Sequence, residues 1–559
     1  MKSGSVKIIL AFLLILFIAP TATVQLYWKI NTPAGFYFPG FLQSDQVTYT
    51  ALFRSVITRG NGITYSYPYA APGPENPPVY FQAPFTLLAW MWQVLGGNLL
   101  APWEVLRYAS AAIFFLALFL FARELFKRFY PTAYESNALP GYLVLFITVL
   151  LFGGGLAWFI SLFKFILIKI GPRENPAGFL AVFGRTEGVY HWWFLNLFRN
   201  VFYPLELFYH ALFFLALLGC LKKNPILIFT AQLLACLSGV FVGIQVSLLL
   251  ILFFLVQALD KPNRETLLHL ALANLVFLLM ISYYKSFLPR HLIPAVLIEQ
   301  HRESLYDLIP VHKYFAAYGL LVFSTPLVFL SQKFRKRMIQ RREGRLVLCW
   351  LVVEGALILN DKFLPGKGFQ PPHFTRGYFY SALVAVTALG VFPLWRKVIE
   401  KGGGKILLTA ALVLAIFLPD NILFVAGRLS EPPHPSVLTI TRHSKDTLDF
   451  LHGLEREQTV FCPERKFGYL VPAFTRHSSI FAELYVTPFN REKTRQVEDF
   501  FQNQGVEEFI HRYRISLIVL PGYPKLLRHF ERNIKLPEWK RIYQNPGWRV
   551  YRVNGRFGP

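Results

Sequence analysis

From residue 31 to residue 74 the chain carries a single acid, Asp45, in the run Gly40-Phe41-Leu42-Gln43-Ser44-Asp45-Gln46-Val47-Thr48-Tyr49. Val47, Leu52 and Val56 then recur at helical spacing, so Asp45 stands at the start of an amphipathic helix that also carries Arg54. A carboxylate at a water-lipid boundary suits general-base work on an acceptor hydroxyl or amine, worth roughly 10²- to 10⁴-fold in rate. A carboxylate that merely caps its helix would look the same from sequence. A second candidate acid is Glu187, in Gly184-Arg185-Thr186-Glu187-Gly188, where an ion pair with Arg185 competes with a catalytic role. Cations sit beside apolar segments: Arg185, His191 and Arg199; Lys285, Arg290 and His291; and Lys367, His373 and Arg376, each as readily a snorkelling or solvated loop residue as a ligand. Trp192 and Trp193 suit an interfacial anchor better than a sugar platform. His191 has no spaced partners and the four cysteines no ligand spacing, so no metal site is called; a divalent metal stays open as a cofactor without any residue to indicate it.

The elements that must position these residues are mostly membrane spans. With 54% hydrophobic and 17% aromatic residues and a mean hydropathy of +0.40, the chain is too apolar for an ordinary soluble domain. Apolar stretches of roughly 20 residues, the length a bilayer core requires, recur from residue 8 to residue 427. The expected fold is a polytopic α-helical membrane protein of about eleven spans: 8–27, 104–122, 141–163, 204–220, 225–242, 243–259, 266–284, 312–331, 346–360, 377–395 and 406–427. The first is read as an uncleaved span, and Val79 to Gly97, after a proline-rich approach, as re-entrant or interfacial. The excess of 57 Lys and Arg over 32 Asp and Glu gathers between apolar segments, above all from Lys333 to Arg345. That is the positive-inside pattern, and it disfavours a nucleic-acid partner. It places the N-terminus in the cytoplasm and the long connections 28–103, 164–203 and 285–311 outside. Residues 1–427 thus form a membrane module, and 428–559 an extracytoplasmic α/β domain with a strand near Thr459 to Cys462, a helix from Glu492 to Tyr513, a strand Ser516 to Leu520, a helix near Lys525 to Arg532 and a closing hairpin at Asn545-Pro546-Gly547. Among the ionisable residues within spans, Glu206 stands one turn before His210 near an outer end, and Glu354 lies near mid-span with no evident partner.

A first span, a long first connection with an acid in a surface helix, a proline-rich approach, many further spans and a tail bearing Arg512-Tyr513-Arg514-Ile515-Ser516-Leu517-Ile518-Val519-Leu520 and Trp548-Arg549-Val550-Tyr551-Arg552-Val553 together resemble the GT-C superfamily of membrane glycosyltransferases. That family includes protein mannosyltransferases, aminoarabinose lipid A transferases and oligosaccharyltransferases. The resemblance covers most of the chain as architecture, but its motif is short, and where many members carry Asp-Asp or Asp-Glu this chain has Asp45-Gln46. It implies a polyprenyl-phosphate-linked sugar donor, an extracytoplasmic glycan, lipid or protein acceptor, inversion with Asp45 as base, and phosphate contacts drawn from Arg54, His191, Arg199, Lys285, Arg290, His373 and Arg376, of which Arg199 and Arg376, abutting spans, best suit the departing phosphate. It also implies a multi-pass protein of the bacterial inner membrane, among membrane lipids. A lipid or polysaccharide flippase or transporter, a polysaccharide polymerase or ligase, and a non-catalytic scaffold are the other classes the sequence permits; the visible lack of an internal duplication weighs against a transporter.

Overall fold

The computed structural model describes residues 3–131, 138–170, 178–190, 197–304, 311–363, 370–400, 403–430, 436–524, 527–528, 530 and 539–553. Within these the chain is a multi-pass membrane protein with a small sheet near its C-terminus. Six helices are long and apolar enough to cross a bilayer: Ile8–Ile30, Ala101–Phe129, Pro204–Lys222, Val240–Asp260, Arg264–Arg290 and Tyr378–Val398. Among the described residues two bent pairs, Leu139–Phe152 with Ala157–Lys169 (59°) and Leu407–Phe417 with Pro419–Ser430 (51°), bring the total to as many as eight, counting each pair as one span.

Eleven unbroken spans were expected, and local chemistry accounts for the difference. The 141–163 stretch breaks at Gly153-Gly154-Gly155, where a side chain on Gly153 would strike the Tyr380 hydroxyl and one on Gly155 the Ala316 carbonyl. The 406–427 stretch breaks before Pro419, which cannot continue a helix without losing a hydrogen bond. In 312–331 the left-handed Gly319 (φ +57°) separates two helices of eight residues, Val311–Tyr318 and Leu321–Val328. Pro225–Ser238 and Arg342–Ile358 have 14 and 17 residues, short of the roughly 20 a perpendicular crossing takes. Ala83–Val94, at 12 residues, is shorter still.

The chain divides into two compact units: 1–24, 104–280 and 307–431; and 25–103, 281–306 and 432–559. The first is the helical unit. The second joins the first long connection, the end of the Arg264–Arg290 span with the residues that follow it, and the C-terminal tail. Its five-stranded sheet runs Ser478–Ser479, Thr459–Phe461, Leu517–Pro521, Trp548–Val553, Trp539–Gln544 in space. The first three are parallel and the last two, joined by the expected hairpin, antiparallel. Leu517–Pro521 is buried on both faces, as a central strand with alternating burial suppressed should be. The helix expected over Glu492 to Tyr513 is two, Asn490–Phe501 and Val506–Arg512, parted at the left-handed Gly505 (φ +62°). Most of the helix expected near Lys525 to Arg532 lies outside the described residues.

Candidate functional site

The Asp45–Thr58 helix buries Val47, Leu52 and Val56, as its periodicity requires, and leaves Asp45 exposed at its first position. There the helix dipole favours a negative charge. The neighbouring side chains point inward and are engaged. Gln46 is fully buried and its Oε1 accepts the Leu42 N–H at 2.8 Å, while Gln43 Oε1 accepts the Asp45 N–H at 3.1 Å. The residue standing where many GT-C members have a second carboxylate is therefore a brace for the loop, turned away from the face that carries Asp45.

The helix is held along its length by the Arg465–Phe474 helix of the tail. At its start the Tyr469 hydroxyl donates to Ser44 O at 3.0 Å and shares a short hydrogen bond with Thr48 Oγ1, so it grips the chain on both sides of Asp45. Tyr69 stacks on Tyr469 (5.9 Å, 16°) and donates to its carbonyl at 3.1 Å. Burial pushes the Tyr469 phenol well above its ordinary range, with the nearby Asp45 charge adding to the shift. It is a hydrogen-bonding strut at neutral pH and no acid. In mid-helix Arg54 is buried, its Nη1 donating to Ala473 O at 2.9 Å and its guanidinium 5.0 Å from the Trp92 ring. Burial and the nearby Arg59 and Arg476 lower its pKa to about 9. Arg54 thus serves the packing of this unit and does not face outward as a phosphate ligand would. At the far end Arg59 pairs with Glu457 (2.7 Å) beside a cavity of about 210 Å³ edged by Pro72, Pro77 and Pro78. A 14-residue helix separates that cavity from Asp45 by about 20 Å, too far for it to hold the reacting atoms.

The same unit contains Lys285 and Arg290, both exposed. They follow the turn that Tyr283 pins: its hydroxyl accepts the Phe81 N–H at 2.8 Å and donates to Val79 O at 3.1 Å.

In the helical unit the expected cations are engaged by the protein itself. Arg199 is fully buried; its Nε donates to Asn421 Oδ1 (3.1 Å), its Nη2 to Asp420 O (3.4 Å), and its guanidinium lies 4.6 Å from the Phe424 ring. Arg376 forms a short ion pair with Glu206, both side chains about one-eighth exposed at 13% and 12%. His210 Nδ1–H donates one turn back to Glu206 O (2.7 Å), and the ring stacks on Tyr378 at 4.0 Å. His373 stacks on Phe241 at 3.9 Å. Glu187 lies in the Phe179–Tyr190 helix by its backbone; its side chain, all of His191 and Lys367 fall outside the described residues.

Two working residues escaped the sequence reading. Asp420 Oδ1 accepts the Trp158 N–H (2.6 Å), capping the second half of the broken 139–169 pair from a distant segment; its only sequence signal was an acid beside Pro419 inside an apolar stretch. Tyr469 had none, because its role depends on a neighbour more than 400 positions away. Among the described residues no group of three or more His, Cys, Asp or Glu could hold a metal.

No protein-family profile and no curated protein matches this chain by sequence. Solved structures resemble it in outline. The oligosaccharyltransferase AglB of Archaeoglobus fulgidus, in complex with an inhibitory peptide and a dolichol-phosphate, aligns at 13% identity over 91% of this chain and 69% of its own, with a TM-score of 0.43. ArnT of Cupriavidus metallidurans aligns in its apo state at 13% identity over 97% and 98%, TM-score 0.46. Bound to undecaprenyl phosphate, the same protein aligns at 12% identity over 98% and 99%, TM-score 0.44. At TM-scores below 0.5 these are likenesses of outline, and the chemistry has to be argued from the residues.

Proposed function

We propose that this chain is a GT-C-type membrane glycosyltransferase that moves a sugar from a polyprenyl-phosphate-linked donor to an extracytoplasmic acceptor with inversion. Asp45 takes the proton from the acceptor hydroxyl or amine as that atom attacks C1 of the sugar; the C1–O bond to phosphate breaks and the lipid phosphate leaves with the electron pair. Lys285 and Arg290 neutralise the departing phosphate, since both are exposed in the unit that carries Asp45, whereas Arg199 is enclosed and Arg376 is paired. The protein would lie in a bacterial inner membrane with its N-terminus in the cytoplasm and its tail outside. The observation that carries this reading is the exposure of Asp45 on a helix start whose flanking Gln43 and Gln46 side chains and Ser44 carbonyl are all hydrogen-bonded: a carboxylate on a braced support, facing outward.

The test is transfer of radiolabelled sugar from polyprenyl-phosphate donors in membranes carrying this protein or Asp45→Asn at matched expression. Loss of roughly 10²-fold or more supports Asp45 as base; equal transfer by both removes it. One observation favours the transporter reading instead. Glu354 is fully buried in the Arg342–Ile358 helix, and neither carboxylate oxygen has a hydrogen-bond partner among the described residues. Such a group buried inside the helical unit of a membrane protein is a natural proton-coupling site. Proton-dependent uptake into proteoliposomes that Glu354→Gln abolishes, with no sugar transfer by any donor, would select that reading.

A further inference from the structure

Seven basic residues lie between Lys333 and Arg345, and the structure divides them sharply. Four are spoken for within the helical unit. Arg337 lies over the Tyr130 ring (5.2 Å) and Arg342 over Phe253 (5.5 Å). Arg341 donates to Arg128 O (2.6 Å), and Arg345 pairs with Asp260 (2.7 Å). The other three, Lys333, Arg335 and Lys336, sit on the nine-residue Gln332–Gln340 helix, exposed and without a partner among the described residues.

This helix turns one face inward: Phe334 and Met338 are buried, and Phe334 packs against Phe129 and Phe329. At 100° per residue the outward arc then reads Arg335, Ile339, Gln332, Lys336, Gln340, Lys333. Ile339 falls between two of the free cations and is 63% exposed. A face adapted only to water has no use for an isoleucine there. The apolar surface also continues backward: Leu330 is 75% exposed, and Phe323 and Leu327 stand exposed on the preceding Leu321–Val328 helix. Free cations interleaved with an exposed aliphatic side chain, running into a further apolar strip, are what a helix at a bilayer surface presents. The aliphatic groups enter the acyl boundary while Lys and Arg extend to the phosphates.

We propose that the Gln332–Gln340 helix docks on anionic phospholipid headgroups, with Lys333, Arg335 and Lys336 on the phosphates and Ile339 and Leu330 inserted beneath them. The occupant is a lipid surface, and not an acidic protein, because the exposed strip Phe323–Leu327–Leu330 leads directly into the cationic face. The arginines serve a different purpose: Arg337 and Arg341 hold the helix to Tyr130 and Arg128, and Arg345 donates to the Ile339 and Gln340 carbonyls while pairing with Asp260, so that the docking face keeps its aim.

The full chain is reconstituted in phosphatidylcholine bilayers with and without phosphatidylglycerol, and a spin label is placed at Ile339→Cys; the four native cysteines are buried and escape labelling. With phosphatidylglycerol, collisions with oxygen should exceed those with a water-soluble nickel chelate, and K333Q/R335Q/K336Q should lower that ratio. In detergent, phosphatidylglycerol titrated onto the protein and counted by native mass spectrometry should bind the triple variant at least about five-fold more weakly. Lys222→Gln, an exposed cation of another segment, should leave the binding unchanged. A label that meets the chelate more than oxygen in both bilayers would make this a solvated face and overturn the proposal. Unchanged phosphatidylglycerol binding by the triple variant would overturn it equally, as would the same weakening by Lys222→Gln.

Discussion

Asp45 and Glu206 are both carboxylates in the first turn of a helix, yet the protein treats them oppositely. Glu206 is drawn into an ion pair with Arg376, and the backbone around the pair is tied in turn: Asn200 Nδ2 donates to Arg376 O (3.1 Å), and His210 bonds to Glu206 O. Around Asp45 the ties gather on its surroundings, taking up Ser44 O, the Asp45 N–H, Thr48 and Gln46, while the Asp45 side chain itself is exposed. An enclosed ion pair stabilises the fold. An exposed charge on a braced helix start can also meet a substrate.

Substitution should separate the two acids cleanly. Asp45→Asn should remove about two orders of magnitude or more of sugar transfer while leaving the thermal unfolding midpoint near that of the parent. Glu206→Gln should do the reverse in order of severity. Removing one member of a largely enclosed ion pair leaves the other uncompensated, a loss of about 3 kcal/mol, read as a lowered midpoint before any assay of transfer. The swap Glu206→Arg with Arg376→Glu should recover part of that loss; if stability returns and transfer does not, Arg376 also meets the substrate and the contrast between the two corners is weaker than drawn here.

A third measurement asks whether the tail that supports Asp45 is pH-sensitive. His477 is fully buried, its Nδ1 accepting the Gln458 N–H (3.0 Å) and its Nε2–H donating to Leu451 O (2.6 Å), so only the neutral ring fits. Burial, with Arg59 and Arg476 nearby, lowers its pKa from 6.5 to about 4. The unfolded chain takes up this proton below about pH 6.5 and the folded one only near 4. The His477 contribution is therefore complete above that window and is lost as pH falls through it, by up to about 3 kcal/mol. Urea unfolding at pH 7 and pH 4.5 should register the loss, and His477→Gln should flatten this part of the profile.

The smallest expected effect is the most informative about support. Tyr469→Phe keeps the ring on Tyr69 and removes the hydroxyl that grips Ser44 and Thr48. It should cost about 1 kcal/mol in stability and lower kcat with little change in KM; an unaltered kcat would mean that Asp45 needs no help from the tail.

Much of this was legible in the residues. The buried positions Val47, Leu52 and Val56, the strand Leu517–Pro521 and the hairpin at Asn545-Pro546-Gly547 follow from periodicity and turn chemistry, which are local. The isolation of Asp45 as the only acid between residues 31 and 74 was likewise plain. The cations were harder. Arg54, Arg199, Arg376, Lys285 and Arg290 look alike in a string of letters; what separates them is whether a carbonyl, a ring or a carboxylate from elsewhere in the chain has already engaged each one.

By itself, then, the sequence determined that this chain lives in a membrane and which stretches are apolar enough to form its helices, since apolar length and helical period are properties of consecutive residues. Only the tertiary structure decided that long apolar stretches break at Gly153–Gly155 and Pro419, that Gln46 faces inward while Asp45 faces out, and that Tyr469, more than 400 residues along the chain, holds the helix start between them. Those outcomes depend on which atoms meet across distant segments, and hydrogen bonding and close packing choose among such meetings only once the chain has folded.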